Sequence, residues 1–216
     1  MTRSSSHDDP ANNATRSSGD FNTGRVLTIS AAHGVHDTYT AFLPSLLPIF
    51  IGTLALSKTE AGLLTIFLQA PSLFQPFIGH LADRLSLRYL VILAPAVTAT
   101  MMSLLPVAPG YGTLVLCLLV AGLSSAAIHS VGPVMAGRLS GLRLGRGMGF
   151  WMVGGELGRT LGPIVIVGAI QLLTVASTPW VMVAGITTSL VLFLLLRGVA
   201  GRPVAPSEAL PWRQAL

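Results

Sequence analysis

Six stretches of this 216-residue sequence are apolar and nearly free of charge, near residues 26–51, 59–81, 89–108, 111–137, 148–175 and 179–197. Each is close to the roughly 20 residues that an α-helix needs to cross a bilayer core. Inside hydrocarbon a backbone must satisfy its own N–H and C=O groups, so runs of this length and composition become spanning helices. Only 10% of the residues are charged, whereas soluble domains carry about 25%. The expected fold is therefore an all-α membrane domain of six transmembrane helices.

The breaks between runs are short. Asp83, Arg84 and Arg88 punctuate the second and third, in the stretch Gln75–Arg88. So charged a link cannot sit in hydrocarbon and must be an aqueous turn. Gly110-Tyr111-Gly112, following Pro106 and Pro109, divides the third and fourth runs. Nothing between Thr160 and Leu196 is charged, so Ser177-Thr178-Pro179 is the expected turn between the last two. Met1–Gly24 is rich in Ser, Asn and Asp and lacks the apolar core of a signal peptide, so it reads as a disordered cytoplasmic tail. Residues 25–198 form the membrane domain, and 199–216, with Pro203, Pro206 and Pro211, read as a cytoplasmic linker or tail.

Basic residues set the orientation. In a six-helix arrangement Arg25, Arg84, Arg88, Arg138, Arg143, Arg146, Arg197 and Arg202 share one side, and Lys58 stands opposite. Positive charge near helix ends is retained in the cytoplasm, which predicts a multi-pass inner-membrane protein with both termini cytoplasmic. The formal net charge of +5 does not mark a nucleic-acid binder, because the arginines are scattered through short loops. The single cysteine, Cys117, lies within an apolar run and excludes an internal disulfide.

Ionisable groups at bilayer depth are costly, and each is a functional candidate. At a rise of about 1.5 Å per residue, Asp37 lies about 18 Å in from Arg25, and His129 about 14 Å in from Arg138. Glu156 and Arg159 lie about 15 and 20 Å in from Arg146. Side chains of the first, fourth and fifth helices thus converge on one slab, which predicts a polar cavity. His33 and Asp37 are one turn apart on one face. Asp37 either carries a proton, with a histidine to relay it, or hydrogen-bonds a neighbouring helix. His33 and His36 alternatively serve structure or line the cavity mouth. Glu156 and Arg159 either neutralise each other or lend the guanidinium to an anionic substrate. Gly154, Gly158 and Gly162, followed by Pro163, form a strip that suits close helix packing. That strip lies roughly 130° around the helix from Glu156 and Arg159, which leaves their face free for the cavity.

The turn pattern Gly79-x-x-x-Asp83-Arg84-x-x-x-Arg88 resembles the signature of major facilitator transporters, with Ser86 and Tyr89 departing from it. His33-x-x-x-Asp37, Leu43-Pro44-x-Leu46-Leu47-Pro48 and Gln75-Pro76-x-x-Gly79-x-x-Ala82-Asp83-Arg84 are similar to the fosmidomycin-resistance branch of that superfamily. So are His129 and Gly154-Gly155-x-Leu157-Gly158-Arg159-x-Leu161-Gly162-Pro163, and Gly149 through Pro163 resembles the antiporter motif. The resemblance covers about residues 26 to 197. It implies an alternating-access, proton-coupled exporter of small molecules or drugs, built from two six-helix halves of which this is the amino-terminal one. It also implies that Gly79, Asp83, Arg84 and Arg88 belong to a cytoplasmic gate. The expected partners are lipid, protons, a small-molecule substrate, and either a separate second half or a second copy. A fragment or assembly partner without transport of its own is the alternative. An intramembrane enzyme lacks support: Leu139-Ser140-Gly141 is followed by no histidine, and His-Glu-x-x-His is absent. No cofactor or metal is expected.

Overall fold

The computed structural model describes residues 21–84 and 88–196. The outer tails, with Arg197 and Arg202, and the centre of the charged turn, with Ser86, lie outside the described residues. The described residues are helices joined by short links and contain no strand.

The first apolar run is a helix in two pieces, α1 (Thr23–Thr40) and α2 (Phe42–Thr53). The break at Ala41 follows from Pro44, which has no N–H for the Thr40 carbonyl and whose ring crowds it. Residues 21–24, assigned to the tail from sequence, instead launch α1. The Asn22 side chain accepts the Arg25 N–H at 3.1 Å and caps the first turn. The second run starts at Ser57, which forms a capping box with Glu60. It comprises α3 (Lys58–Gln69), a 3₁₀ turn at Ala70–Phe74 around Pro71, and α4 (Gln75–Arg84). α5 (Arg88–Leu104), α6 (Tyr111–Leu139) and α7 (Leu144–Leu173) are the next three. The sixth run is a 3₁₀ segment, Val175–Val181, leading into α8 (Met182–Leu196).

Among the described residues, five helical stretches are long and apolar enough to cross a membrane: Lys58–Ala82, Arg88–Val107, Tyr111–Leu139, Leu144–Leu173 and Val175–Leu196. The split first segment, α1 and α2, is the sixth apolar helical run. One boundary differs from expectation. The chain reverses at Thr174, which takes a positive φ of 83°, and Ser177-Thr178-Pro179 falls inside the 3₁₀ segment. A β-branched residue rarely adopts that φ.

α1 is the hub, packed against α5, α6, α7 and α8. Its contact with α7 is made through glycine. A methyl added to Gly154, Gly158 or Gly162 would strike the carbonyl oxygens of Ser30, Gly34 and Thr38 in turn. Backbones meet there with no side chain between them. α5 and α8 meet similarly at Gly185, beside Pro95 and Ala99, where the Ala96 N–H donates to Ser189 Oγ at 2.9 Å.

Two apolar clusters hold the bundle. One gathers Tyr39, Phe42, Leu46, Phe50, Leu64, Met102, Leu114 and Ile166. The other gathers Ile29, Val91, Ile92, Ile128, Val131, Trp151 and Leu192. Large side chains such as Phe77, Leu157, Ile164 and Leu190 face outward, where lipid rather than water is the compatible solvent.

At the end that holds the second cluster, the Asn22 N–H donates to the Leu139 carbonyl at 3.0 Å. There the Arg146 guanidinium lies over the Phe21 and Phe150 rings, at 4.8 and 5.7 Å. The start of α1, the end of α6 and the start of α7 therefore share one end of the bundle.

Candidate functional site

The polar residues of α1 lie between the two apolar clusters. Ile29 and Ala32 belong to one and Tyr39 to the other, so His33, His36 and Asp37 fall at mid-height. All three are buried, at 3%, 0% and 1% exposure. The cavity-mouth position considered for the two histidines is therefore not where they lie.

Asp37 is the centre. Its Oδ2 lies 3.4 Å from His33 Nε2 and 3.2 Å from Arg159 Nε, and its Oδ1 lies 3.3 Å from His129 Nε2. These are ion-pair separations rather than well-directed hydrogen bonds. Three helices, α1, α6 and α7, thus bring a carboxylate, two imidazoles and a guanidinium together. Arg159 reaches outward as well, with Nη1 donating to Glu156 Oε1 at 2.8 Å. Glu156 is exposed and joins the cluster only through Arg159.

His33 is the most tightly placed member. Its ring stacks on Trp151, with centroids 3.8 Å apart and planes 10° from parallel. Its Nδ1 lies 3.0 Å from the Trp151 carbonyl oxygen. A carbonyl only accepts, so Nδ1 carries the hydrogen and Nε2 is the atom turned to Asp37. Behind Trp151 is Gly132, where an added methyl would overlap the indole. Gly155 is equally confined, beside His33 and Asp37. His36 stands edge-on to His129 at 5.8 Å, and neither of its ring nitrogens has a hydrogen-bond partner.

A cavity of about 500 Å³ opens next to the cluster. Thr40, Gln69, Ser72, Ser125 and Arg159 supply its polar lining, and Leu68 and Ala126 part of its apolar wall. Hydroxyls, an amide and one guanidinium can orient a small polar molecule. Ring nitrogens of His33 and His129 and the Asp37 carboxylate lie within 4.8 Å of one another, which are donors a metal ion accepts. No metal was expected from the sequence, and here Arg159 already supplies positive charge to that carboxylate.

The structure thus joins Asp37, His33, His129 and Arg159 directly, and Glu156 through Arg159. Gly154, Gly158, Gly162 and Pro163 lie along α7, and the three glycines face α1. Gly79, Asp83 and Arg84 lie in α4, and Arg88 opens α5 with its guanidinium 5.0 Å over the Tyr89 ring. Sequence reasoning missed Trp151 and the polar cavity wall. Gln69 and Ser72, polar within an otherwise apolar run, were the available signal.

A six-span bundle with a buried ionisable cluster beside a polar cavity defines a membrane transporter. The chain belongs to the Major Facilitator Superfamily, whose family profile matches residues 29–215. It is 28% identical over 143 residues to the uncharacterized MFS-type transporter YfnC of Bacillus subtilis, covering 65% of this chain and 34% of that protein. It is 25% identical over 175 residues to the fosmidomycin resistance protein of Escherichia coli, covering 81% of this chain and 43% of that one. The chain spans less than half the length of these curated relatives and corresponds to the amino-terminal half of a transporter, not to an enzyme.

Proposed function

We propose that the chain forms the amino-terminal half of an exporter that exchanges a small molecule or drug for protons by alternating access. Asp37 carries the exchanging proton, with His33 and His129 beside it. Arg159 moves between Asp37 and Glu156 as the carboxylate gains or loses its proton. A second set of six helices, from a separate chain or a second copy, supplies the opposite wall of the pathway. The excess of basic residues at one end supports an inner-membrane placement with both termini cytoplasmic. Gly79, Asp83, Arg84 and Arg88 then lie at the cytoplasmic gate. The name of the Escherichia coli relative supports a drug-like cargo.

The observation that carries the reading is the buried Asp37 carboxylate, contacted from three helices beside a cavity of about 500 Å³. A carboxylate held away from water beside groups that can share its proton is the arrangement that proton exchange requires. The test is Asp37→Asn in vesicles under an imposed proton gradient. Gradient-driven transport is expected to stop. Transport that continues at the parental rate and keeps its pH dependence overturns the proposal.

A further inference from the structure

Several lone-pair donors face one another at mid-height in the bundle. His33 Nε2, Asp37 Oδ1 and Asp37 Oδ2 are buried and have no hydrogen-bond partner, whereas buried polar atoms ordinarily have one. The Trp151 carbonyl holds the His33 Nδ1 side of the ring at 3.0 Å, which turns Nε2 to the carboxylate. A carbonyl behind the far ring nitrogen is the support that metal-ligating histidines commonly have. His129 Nε2 completes the set, and one donor atom from each of the three residues lies within 4.8 Å of the others.

The spacing fits a first-row transition ion. Around Zn²⁺, with bonds of about 2.0–2.1 Å, neighbouring donors of a tetrahedron are about 3.3–3.4 Å apart. His33 Nε2 lies 3.4 Å from Oδ2, and His129 Nε2 lies 3.3 Å from Oδ1. The remaining edge joins the two imidazoles, and His129, the partly exposed one, has room to close it. Two imidazoles and one carboxylate select Zn²⁺, Co²⁺ or Ni²⁺ over Mg²⁺ and Ca²⁺, which favour oxygen alone. On α6, His129 shares its face with Gly122, Ser125 and Ala126, which wall the cavity. An ion therefore enters from the cavity and keeps water in its open positions.

Arg159 is the obstacle. Its Nε stands 3.2 Å from Oδ2, yet its directed hydrogen bond runs from Nη1 to Glu156 Oε1 at 2.8 Å. Both side chains are more than half exposed. An ion arriving at Asp37 displaces Arg159 onto a carboxylate that already holds it.

We propose that His33, His129 and Asp37 form a binding site for one divalent transition-metal ion, with Arg159 as the competing occupant of the carboxylate. While the ion is bound, Arg159 rests on Glu156 alone. The site goes beyond proton exchange and stands on its donor geometry, whether or not Asp37 carries the exchanging proton.

The experiment titrates the full chain, purified in detergent without a histidine tag and freed of metal by a chelator, with Co²⁺ at fixed pH. One equivalent is expected to give the visible absorption of an imidazole-bound ion, bleached by Zn²⁺ and unmoved by excess Mg²⁺ or Ca²⁺. His33→Gln, His129→Gln and Asp37→Asn should each weaken binding by more than the about 10–100-fold that losing a partner behind a ligand costs. Arg159→Gln removes the competing charge and should tighten binding by about tenfold or more. The double variant His7→Gln, His80→Gln should leave affinity unchanged. Absence of a saturable Co²⁺ spectrum overturns the proposal. So does binding that survives Asp37→Asn and falls in the His7→Gln, His80→Gln variant, which marks adventitious surface binding. Affinity unchanged in Arg159→Gln overturns it as well, because an ion on Asp37 must feel that charge. Should a cluster variant not fold, the parental spectrum and the Arg159→Gln comparison decide.

The titration needs no gradient, so it is separable from the transport test. Loss of gradient-driven transport in Asp37→Asn, with no Co²⁺ bound by the parental chain, refutes the metal site and leaves the exchange proposal standing. Co²⁺ binding that depends on Asp37, with transport unchanged in Asp37→Asn, does the reverse.

Discussion

Replacing Gly158 with alanine tests the α1–α7 contact on which the site is built. The new methyl would meet the Gly34 carbonyl oxygen and its backbone neighbours, none of which is the movable end of a flexible side chain. Relief requires one helix to shift, and overpacking of this kind costs about 1–3 kcal/mol. Alanine recovers roughly 0.5–1 kcal/mol of helix propensity. The net expectation is a loss of up to about 2.5 kcal/mol, and about 1–3 kcal/mol relative to Gly149→Ala as the internal control. Gly149 lies on the same helix with open space around it, so only the propensity term acts and stability should be unchanged or slightly raised. Unfolding of both variants in mixed micelles, followed by helical circular dichroism, reads the difference. Equal behaviour of the two would refute the close contact, because propensity alone treats them alike.

Ser189→Ala removes the hydroxyl that accepts the Ala96 N–H beside Pro95. Losing this bond across the α5–α8 contact should cost about 0.5–1.5 kcal/mol in the same unfolding assay, whereas Ser189→Thr should retain most of the stability. Glu156→Gln removes the exposed partner of Arg159, and for a pair this open the loss should stay below about 1 kcal/mol. A larger loss would mean that Glu156 is held by more than Arg159.

The fold was legible where chemistry forces a choice. Uncharged runs near bilayer length leave helix as the only outcome, and five long helical stretches plus the split first segment follow them closely. Boundaries marked by charge came out well, as at Arg88, where α5 begins. The one between the last two runs did not. Pro179 drew the turn to itself, yet a 3₁₀ segment accommodates it, and the reversal falls five residues earlier at Thr174. No local signal marks a threonine for a left-handed φ. The break at Ala41 was latent in Pro44, whose effect falls on residues that precede it. Depth counting from helix ends placed Asp37, His129 and Arg159 at one level, but rise along a helix says nothing of azimuth across the bundle. That Arg159 touches Asp37 while Glu156 faces outward had to come from the packing.

The glycine strip and the ionisable cluster looked separable from sequence, one face of α7 for packing and another for chemistry. The structure makes them one device. Because Gly154 and Gly158 let α7 rest on the α1 backbone, the base of Arg159 is brought near enough for Nε to reach Asp37 at 3.2 Å. Gly155, outside the regular strip, sits where any side chain would invade His33 and the Asp37 carboxylate. The buried Asp37 carboxylate is met by the half-exposed Arg159 guanidinium at 3.2 Å, and removing that partner would strand a charge in low dielectric. The glycines on the α1 side of α7 therefore set the approach that brings the charges of α1 and α7 together. A movement of α7 against α1 would redistribute those contacts directly.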